Sequence, residues 1–348
     1  MTMPPAGQLD IESHPALLSY LRDNGHIHPQ AQPRMQTLAG GVSNRTVLVE
    51  LGDGRAWVLK QALAKLRVAV DWFSDPARIE REAAGLRAFG ELAAGSVPAL
   101  VFEDRAHHLL AMESVPQPHE NYKAVLLAGR VDDDHVAQFA TLLGRIHRES
   151  WLARDRYAAA FDDRSFFETL RVEPYYRYSA AQTPEAQAFI DRLIDQTNRR
   201  RLAIVHGDYS PKNVLIHQGR LVLLDFEVIH FGDPAFDVGF ALTHYLSKAH
   251  HLPMHREALL KAARLFWQTY QETLSDVPWR DEHESMCVAH TLGCMLARVR
   301  GRSTLEYLDE DERDRQCGIV LAVMRALPNT LDELVTLYAG LLNKHGAD

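Results

Sequence analysis

Between residues 202 and 227 a chain that otherwise reads as helical breaks into short β segments with acids at their ends. RLAIV, NVLI and RLVLLDF are apolar runs of strand length, and the residues between them include the turn formers Gly, Asp, Ser and Pro. Asp208, Asn213 and Asp225 fall where these runs start or stop. Asp and Asn suit turns because their side chains hydrogen-bond the local backbone. A carboxylate closing an apolar strand is harder to explain, because burying it without a partner is costly. The stretch therefore demands a small β arm within a helical body and a chemical reason for its acids.

The front third has a different pattern. A short helix is expected over 13–24. TLAGGVSNRTVLVEL (37–51) leads from a glycine turn into a strand, GDG (52–54) makes a tight turn, and RAWVLKQA (55–62) returns. Glycine supplies the positive φ that such a turn requires. PARIEREAAGLRAFGELA (76–93) has helical spacing with Pro near its first turn, and VPALVFEDRAHHLLAMES (97–114) reads as two further strands. In DDDHVAQFATLLGRIHRE (132–149), Val136, Phe139, Leu143 and Ile146 share one helical face, and the Asp run suits the positive N-terminal end. More helices are expected over 163–171, 184–199, 255–275, 283–300, 310–325 and 329–343. The prolines of ESVPQP break the pattern near 113–118. The expectation is an N-terminal domain over 1–114 and a mostly helical one over 115–348.

The chain has 348 residues, enough for about two domains. With 46% hydrophobic and 24% charged residues it has a globular composition. A net charge of −8 argues against nucleic acid as a partner. The N-terminus has neither a basic start nor an apolar run, and no window approaches the ~20 apolar residues of a membrane span. Three cysteines, an odd and low number, fit free thiols in a reducing cytoplasm.

A carboxylate, an amide oxygen and a second carboxylate, joined by a hairpin, suit phosphoryl transfer with a divalent metal. Hard Mg²⁺ prefers oxygen ligands and usually takes one or two carboxylates. Transfer itself needs phosphates held, charge neutralised and an accepting hydroxyl aimed in line. Asn213 and Asp225 can hold the metal, and Asp208 can take the proton of the hydroxyl. Glu227 reads equally as a further ligand or as a surface acid.

In this order the residues His206, Gly207, Asp208 and Asn213, spaced H-G-D-x-x-x-x-N, resemble the catalytic loop of the aminoglycoside phosphotransferase and choline kinase superfamily. LLDFE resembles that superfamily's metal-binding segment. GDPAFDVG (232–239) resembles the segment after it, where Asp237 is implied to be a structural acid tying the loop in place. The likeness reaches into the front third and covers roughly 35–245. GGVSNRTVLV resembles the nucleotide-binding loop, implying contacts from Gly40, Gly41, Ser43 and Asn44. WVLK places Lys60 where it would meet the nucleotide's phosphates, and REAAGL places Glu82 where it would pair with Lys60. LLAMES, with Met112 and Glu113, corresponds to the segment that meets adenine.

The resemblance implies a two-lobed, protein-kinase-like α+β fold: a small antiparallel sheet with one main helix, followed by a larger helical lobe. It implies an ATP- and Mg²⁺-dependent kinase acting on a small-molecule hydroxyl, with no nucleic-acid or membrane partner. VLKQALAKLRV and HENYKAVLLAG are also similar to the methylthioribose kinase branch, whose D-x-E metal pair Asp225 and Glu227 match; that branch usually lacks the Asn found here at 213. A catalytically silent nucleotide-binding protein is the alternative from another class. His206 is expected to brace the loop.

Two later clusters have plainer readings. Cys287, His290 and Cys294 share a helical face, but without a paired C-x-x-C they read as core. Arg298, Arg300 and Arg302 read first as basic residues at a helix end and second as a site for an acidic or phosphorylated substrate.

Overall fold

The computed structural model describes residues 9–38, 43–67 and 73–344. The chain divides into two compact units, Met1–Pro118 and His119–Asp348, so the division falls after Pro118 rather than after residue 114.

The first unit holds α1 (His14–Asp23), β1 (Arg34–Thr37), β2 (Asn44–Glu50), β3 (Ala56–Ala62), α2 (Arg78–Leu92), β4 (Leu100–Asp104) and β5 (Leu109–Glu113). The strands form one antiparallel sheet in the order β1-β2-β3-β5-β4. The β2–β3 turn uses Gly52 and Gly54, both at positive φ. Side chains alternate across a strand, and the alternation sorts this sheet into two faces. Val47, Val49, Leu59 and Ala111 pack with Leu17 and Leu21 of α1 in one buried cluster. Lys60 follows Leu59 and so projects from the opposite face, where α2 packs.

The second unit begins with β6 (His119–Asn121) and α3 (Tyr122–Leu127), followed by α4 (Asp133–Leu152), α5 (Arg154–Ala160) and α6 (Ser165–Phe167). A π-helix spans Glu168–Arg177 and runs into α7 (Tyr178–Gln182), then α8 (Gln187–Arg199). The β arm comprises β7 (Ala203–Val205), β8 (Val214–His217), β9 (Arg220–Leu223) and β10 (His230–Gly232). The remaining helices are α9 (Ala235–His251), α10 (Arg256–Thr273), α11 (Glu284–Arg300), α12 (Glu310–Arg325) and α13 (Leu331–Lys344). β8 lies between β6 and β9, and β7 pairs with β10.

In α4 the expected face is the buried one: Val136, Phe139, Leu143 and Ile146 are fully inaccessible, and Asp132 caps the helix by accepting the Asp134 N–H. The helix expected over 163–171 instead becomes the π-helix to 177. It contains Pro174, which has no N–H to give to the normal ladder. The sequence pattern gave no sign of α9, because Ala235–His250 is buried on every side and so lacks an amphipathic period. α9 also packs unusually close to α11: a Cβ on Gly239 would come within 2.6 Å of the His290 backbone. Among the described residues no helix is long and apolar enough to cross a membrane.

Candidate active site

The loop from β7 to β8 is fixed first by a buried acid. Asp237, in the first turn of α9, accepts the N–H of His206 at 2.7 Å and that of Gly207 at 2.9 Å. Its Oδ2 also lies 3.3 Å from His147 Nε2. Gly207 has φ +78°, and a Cβ there would stand 2.7 Å from Val228 Cγ1, so both conformation and space require glycine. The Asp208 N–H donates to His206 Nδ1 at 3.1 Å. Nε2 therefore carries the ring proton and donates it to the Leu224 carbonyl at 3.1 Å. Burial lowers the His206 pKa despite the acids around it, which keeps the ring neutral. The histidine thus ties Asp208 to the residue just before Asp225.

Two side chains hold Asp208. Its Oδ1 lies 3.1 Å from Arg171 Nη2, and its Oδ2 accepts from Asn213 Nδ2 at 2.7 Å. The same Asn213 nitrogen donates to the Asp208 carbonyl at 3.0 Å. Both partners are acceptors, so the nitrogen must face them and Oδ1 points the other way. Burial pushes the Asp208 carboxyl up, but the charges of Arg171 and Lys212 outweigh it and hold the group below its ordinary value. Asp208 is therefore ionised at neutral pH, in the form that accepts a proton.

Arg171 had no sequence signal. It lies on the π-helix, is buried, and donates through Nε to the Gly207 carbonyl at 2.6 Å. Only tertiary folding brings it to Asp208, 37 positions ahead in the chain.

Asp225 and Glu227 each offer a carboxylate oxygen, and these lie within 4.8 Å of one another. Between them Phe226 is buried, its ring centroid 5.2 Å from that of His206. Asp225 has φ +73°, an uncommon conformation for a residue with a Cβ. Such strain costs about 1–3 kcal/mol and persists where the surroundings impose it, often at functional sites. Asp225 and Glu227 bring two carboxylate oxygens together, the oxygen chemistry that suits a hard divalent cation such as Mg²⁺.

In the first unit, Lys60 Nζ meets Glu82 Oε1 at 2.5 Å; Glu82 is fully buried and the Lys60 side chain is 12% exposed. Ser43 and Asn44 are buried where β2 begins. The fully buried Arg78, which sequence reading did not single out, donates to the Ser43 carbonyl and to that of Leu63. Met112 is buried and Glu113 exposed at the end of β5, and the Glu113 N–H is engaged by the Ala99 carbonyl. Gly40 and Gly41 lie outside the described residues. Cys287 and Cys294 are buried free thiols raised by burial, and His290 Nδ1 bonds the Tyr176 hydroxyl at 2.7 Å.

A sheet-and-helix unit with a buried Lys–Glu pair, followed by a helical unit with this acid-rich loop, defines the class: a small-molecule kinase of protein-kinase-like fold. The sequence pattern of the phosphotransferase enzyme family matches residues 34–273, and the chain belongs to that family. It is 25% identical to a methylthioribose kinase of Pectobacterium carotovorum over 298 residues, covering 70% of this chain and 74% of that one. A choline kinase structure from Cryptosporidium parvum aligns over 95% of this chain and 99% of its own, with TM-score 0.56 and 11% identity. An amicoumacin kinase solved with AMP-PNP and Ca²⁺ aligns over 90% of this chain and 94% of its own, with TM-score 0.53 and 17% identity. At these identities the two structures establish the fold.

Proposed function

We propose that this enzyme transfers the γ-phosphoryl group of ATP to a hydroxyl of a small molecule, with Mg²⁺ bound, and that Asp208 is its general base. The arrangement around Asp208 is the observation that carries the reading. An ionised carboxylate has one oxygen on Arg171 and the other on Asn213, and only about a seventh of its side chain is open, at 14% exposure. A group so held can accept a proton without losing its place.

Transfer forms a bond from the acceptor oxygen to the γ-phosphorus and breaks the bond to the β–γ bridging oxygen, releasing ADP. The acceptor proton moves to Asp208 as the hydroxyl attacks. Bound Mg²⁺ supplies positive charge against the phosphate oxygens. Asn213 Oδ1, Asp225 and Glu227 are the residues that would hold it. Lys60, oriented by Glu82, is assigned to the nucleotide's phosphates, and Ser43, Asn44, Met112 and Glu113 to the rest of the nucleotide. On this reading Met1–Pro118 is the nucleotide-binding lobe and His119–Asp348 the catalytic one.

Similarity to methylthioribose kinases, with the matching Asp225 and Glu227 pair, makes methylthioribose one acceptor to test. The experiment is ADP release from Mg-ATP across methylthioribose, simple sugars, polyols, amino alcohols and aminoglycosides, with Asp208→Asn in parallel. An acceptor-dependent rate is expected to fall about a thousandfold in the variant while nucleotide binding persists. An unchanged rate would remove Asp208 from the role, and failure of the wild type to bind nucleotide would remove the kinase reading.

A further inference from the structure

Lys248, near the end of α9, is fully buried. Its Nζ has a backbone carbonyl, that of His244 at 3.3 Å, and stands 5.2 Å from the Tyr307 ring centroid. Among the described residues no carboxylate pairs with it. Burying an ammonium group without a counter-charge is costly. Burial, then the charges of Lys123 and Arg298, bring its pKa down to about 7.

Arg298 lies on α11 and is also buried. Its Nη1 donates to the Tyr175 hydroxyl at 3.1 Å and to the Ser303 carbonyl at 2.5 Å, and again no carboxylate meets it. Among the described residues three buried atoms of this region have no hydrogen-bond partner: Arg298 Nε, the Tyr307 hydroxyl and His244 Nδ1. Lys123 joins the group from α3. Its ion pair is with Glu306, whose side chain is 62% exposed. The other two arginines of this stretch are differently placed: Arg300 pairs with Asp314 at 2.6 Å, and Arg302 covers the Tyr178 ring.

The cluster is joined to the proposed catalytic loop on two sides. The Tyr175 ring has Arg298 Cζ 5.7 Å and Arg171 Cζ 5.3 Å from its centroid, and Arg171 is the residue that grips Asp208. On the other side, the Asn121 side chain accepts the Lys123 N–H at 3.1 Å and donates to the Lys212 carbonyl at 2.7 Å, and Lys212 belongs to the loop itself. Through these contacts the cluster is linked to Arg171 and to Lys212, the two cations that act on Asp208, in a chain whose net charge is −8. A cluster serving only to stabilise the fold would contain its own counter-charges, since unpaired buried charges destabilise. Among the described residues the carboxylate that pairs with the cluster, that of Glu306, lies at the surface. What the cluster lacks is an anion with several acceptor oxygens, which Arg and Lys are suited to hold.

We propose that the acceptor carries an oxyanion, a phosphate monoester or a carboxylate, in addition to its hydroxyl, and that Lys248, Arg298 and Lys123 receive that group. This rests on the phosphotransferase reading and narrows its substrate class to anionic acceptors.

The test loads the protein with Mg²⁺ and a non-hydrolysable ATP analogue, then titrates orthophosphate by calorimetry. The wild type is expected to bind it, and Arg298→Gln and Lys123→Gln each to weaken binding about tenfold or more. Lys123 is only half-buried, so its variant remains informative if Arg298→Gln fails to fold. Glycerol 3-phosphate and glycerate are then compared as acceptors with glycerol. A kcat/KM at least about tenfold above glycerol for either anion supports the proposal and tells phosphate from carboxylate. Nucleotide binding with neither phosphate binding nor a higher kcat/KM for either anion overturns the proposal and leaves the kinase reading intact, as does preferential turnover of neutral or cationic acceptors. Failure to bind the nucleotide analogue overturns both.

Discussion

Asp237 accepts two backbone N–H groups, whereas Asp208, held by the same loop, is gripped by two side chains, the guanidinium of Arg171 and the amide of Asn213. Asp237 has a side chain with no exposure; that of Asp208 is 14% open. Backbone donors cannot leave without unfolding the loop, so Asp237 can only fix a shape. Side-chain partners leave a carboxylate able to exchange one contact for another, which accepting a proton demands. The same side-chain type is thus closed in by backbone donors at one position and left partly open between side chains at the other.

Asparagine at each position separates these uses. Asp208→Asn is expected to reduce kcat about a thousandfold while the melting temperature stays within a few degrees, because the amide still fills the space. Asp237→Asn is expected to cost roughly 3 kcal/mol of stability, read by chemical denaturation, since an amide cannot accept both N–H groups as a carboxylate does. If Asp237→Asn instead kept full stability and lost only turnover, the contrast between the two acids would collapse.

Arg171→Met comes next in size. It removes the donor to Asp208 Oδ1 and to the Gly207 carbonyl together. A fall in kcat of about ten- to a hundredfold is expected, with nucleotide affinity unchanged. Partial recovery in Arg171→Lys would indicate that charge near Asp208 matters; equal loss in both would assign the effect to the guanidinium's two-sided geometry.

How much of this was legible depended on whether a residue's partners were local. The loop from His206 to Asn213 and the Asp225–Glu227 segment could be read because their spacing is fixed along the chain. The Lys60–Glu82 pair was also anticipated, because WVLK and REAAGL resemble the family's segments that carry such a pair, and the two side chains do meet. Arg171 and Lys248 could not be read. Arg171 depends on a π-helix, and nothing short of the fold sets where its guanidinium ends. Lys248 sits in α9, a helix with no polar face and hence no period to detect. The arginines at 298, 300 and 302 appeared in sequence as one basic run at a helix end, and the fold gave each a different partner.

The comparison extends to Asp233, another fully buried acid beside α9. Burial would raise its pKa, but the neighbouring His290 and Arg200, the latter 3.2 Å away, outweigh it and hold the carboxyl at about 2. An acid with a depressed folded pKa contributes stability above its unfolded value, near 3.9, and loses that contribution as pH falls toward 2. Asp233→Asn should therefore be destabilised by about 2 kcal/mol at pH 7 and show a flatter acid limb below pH 4. An unchanged acid limb would mean that Asp233 does not govern it.

The smallest effect tests the opposite case, a buried charge without a counter-charge. The folded pKa of Lys248 is about 7, whereas an unfolded lysine titrates near 10.4. Between those values the unfolded chain binds the extra proton, so stability rises with pH from about 7 to about 10. Below 7 both states are protonated, and the cost of burying the ammonium is present in full. Lys248→Met should therefore gain on the order of 1–2 kcal/mol at pH 6 and flatten the alkaline rise seen in the wild type by thermal denaturation. A variant less stable than the wild type at pH 6 would show that Lys248 already has its counter-charge, which would weaken the case for an anionic acceptor. A more stable variant that no longer binds orthophosphate would show that the chain keeps a destabilising charge for its ligand.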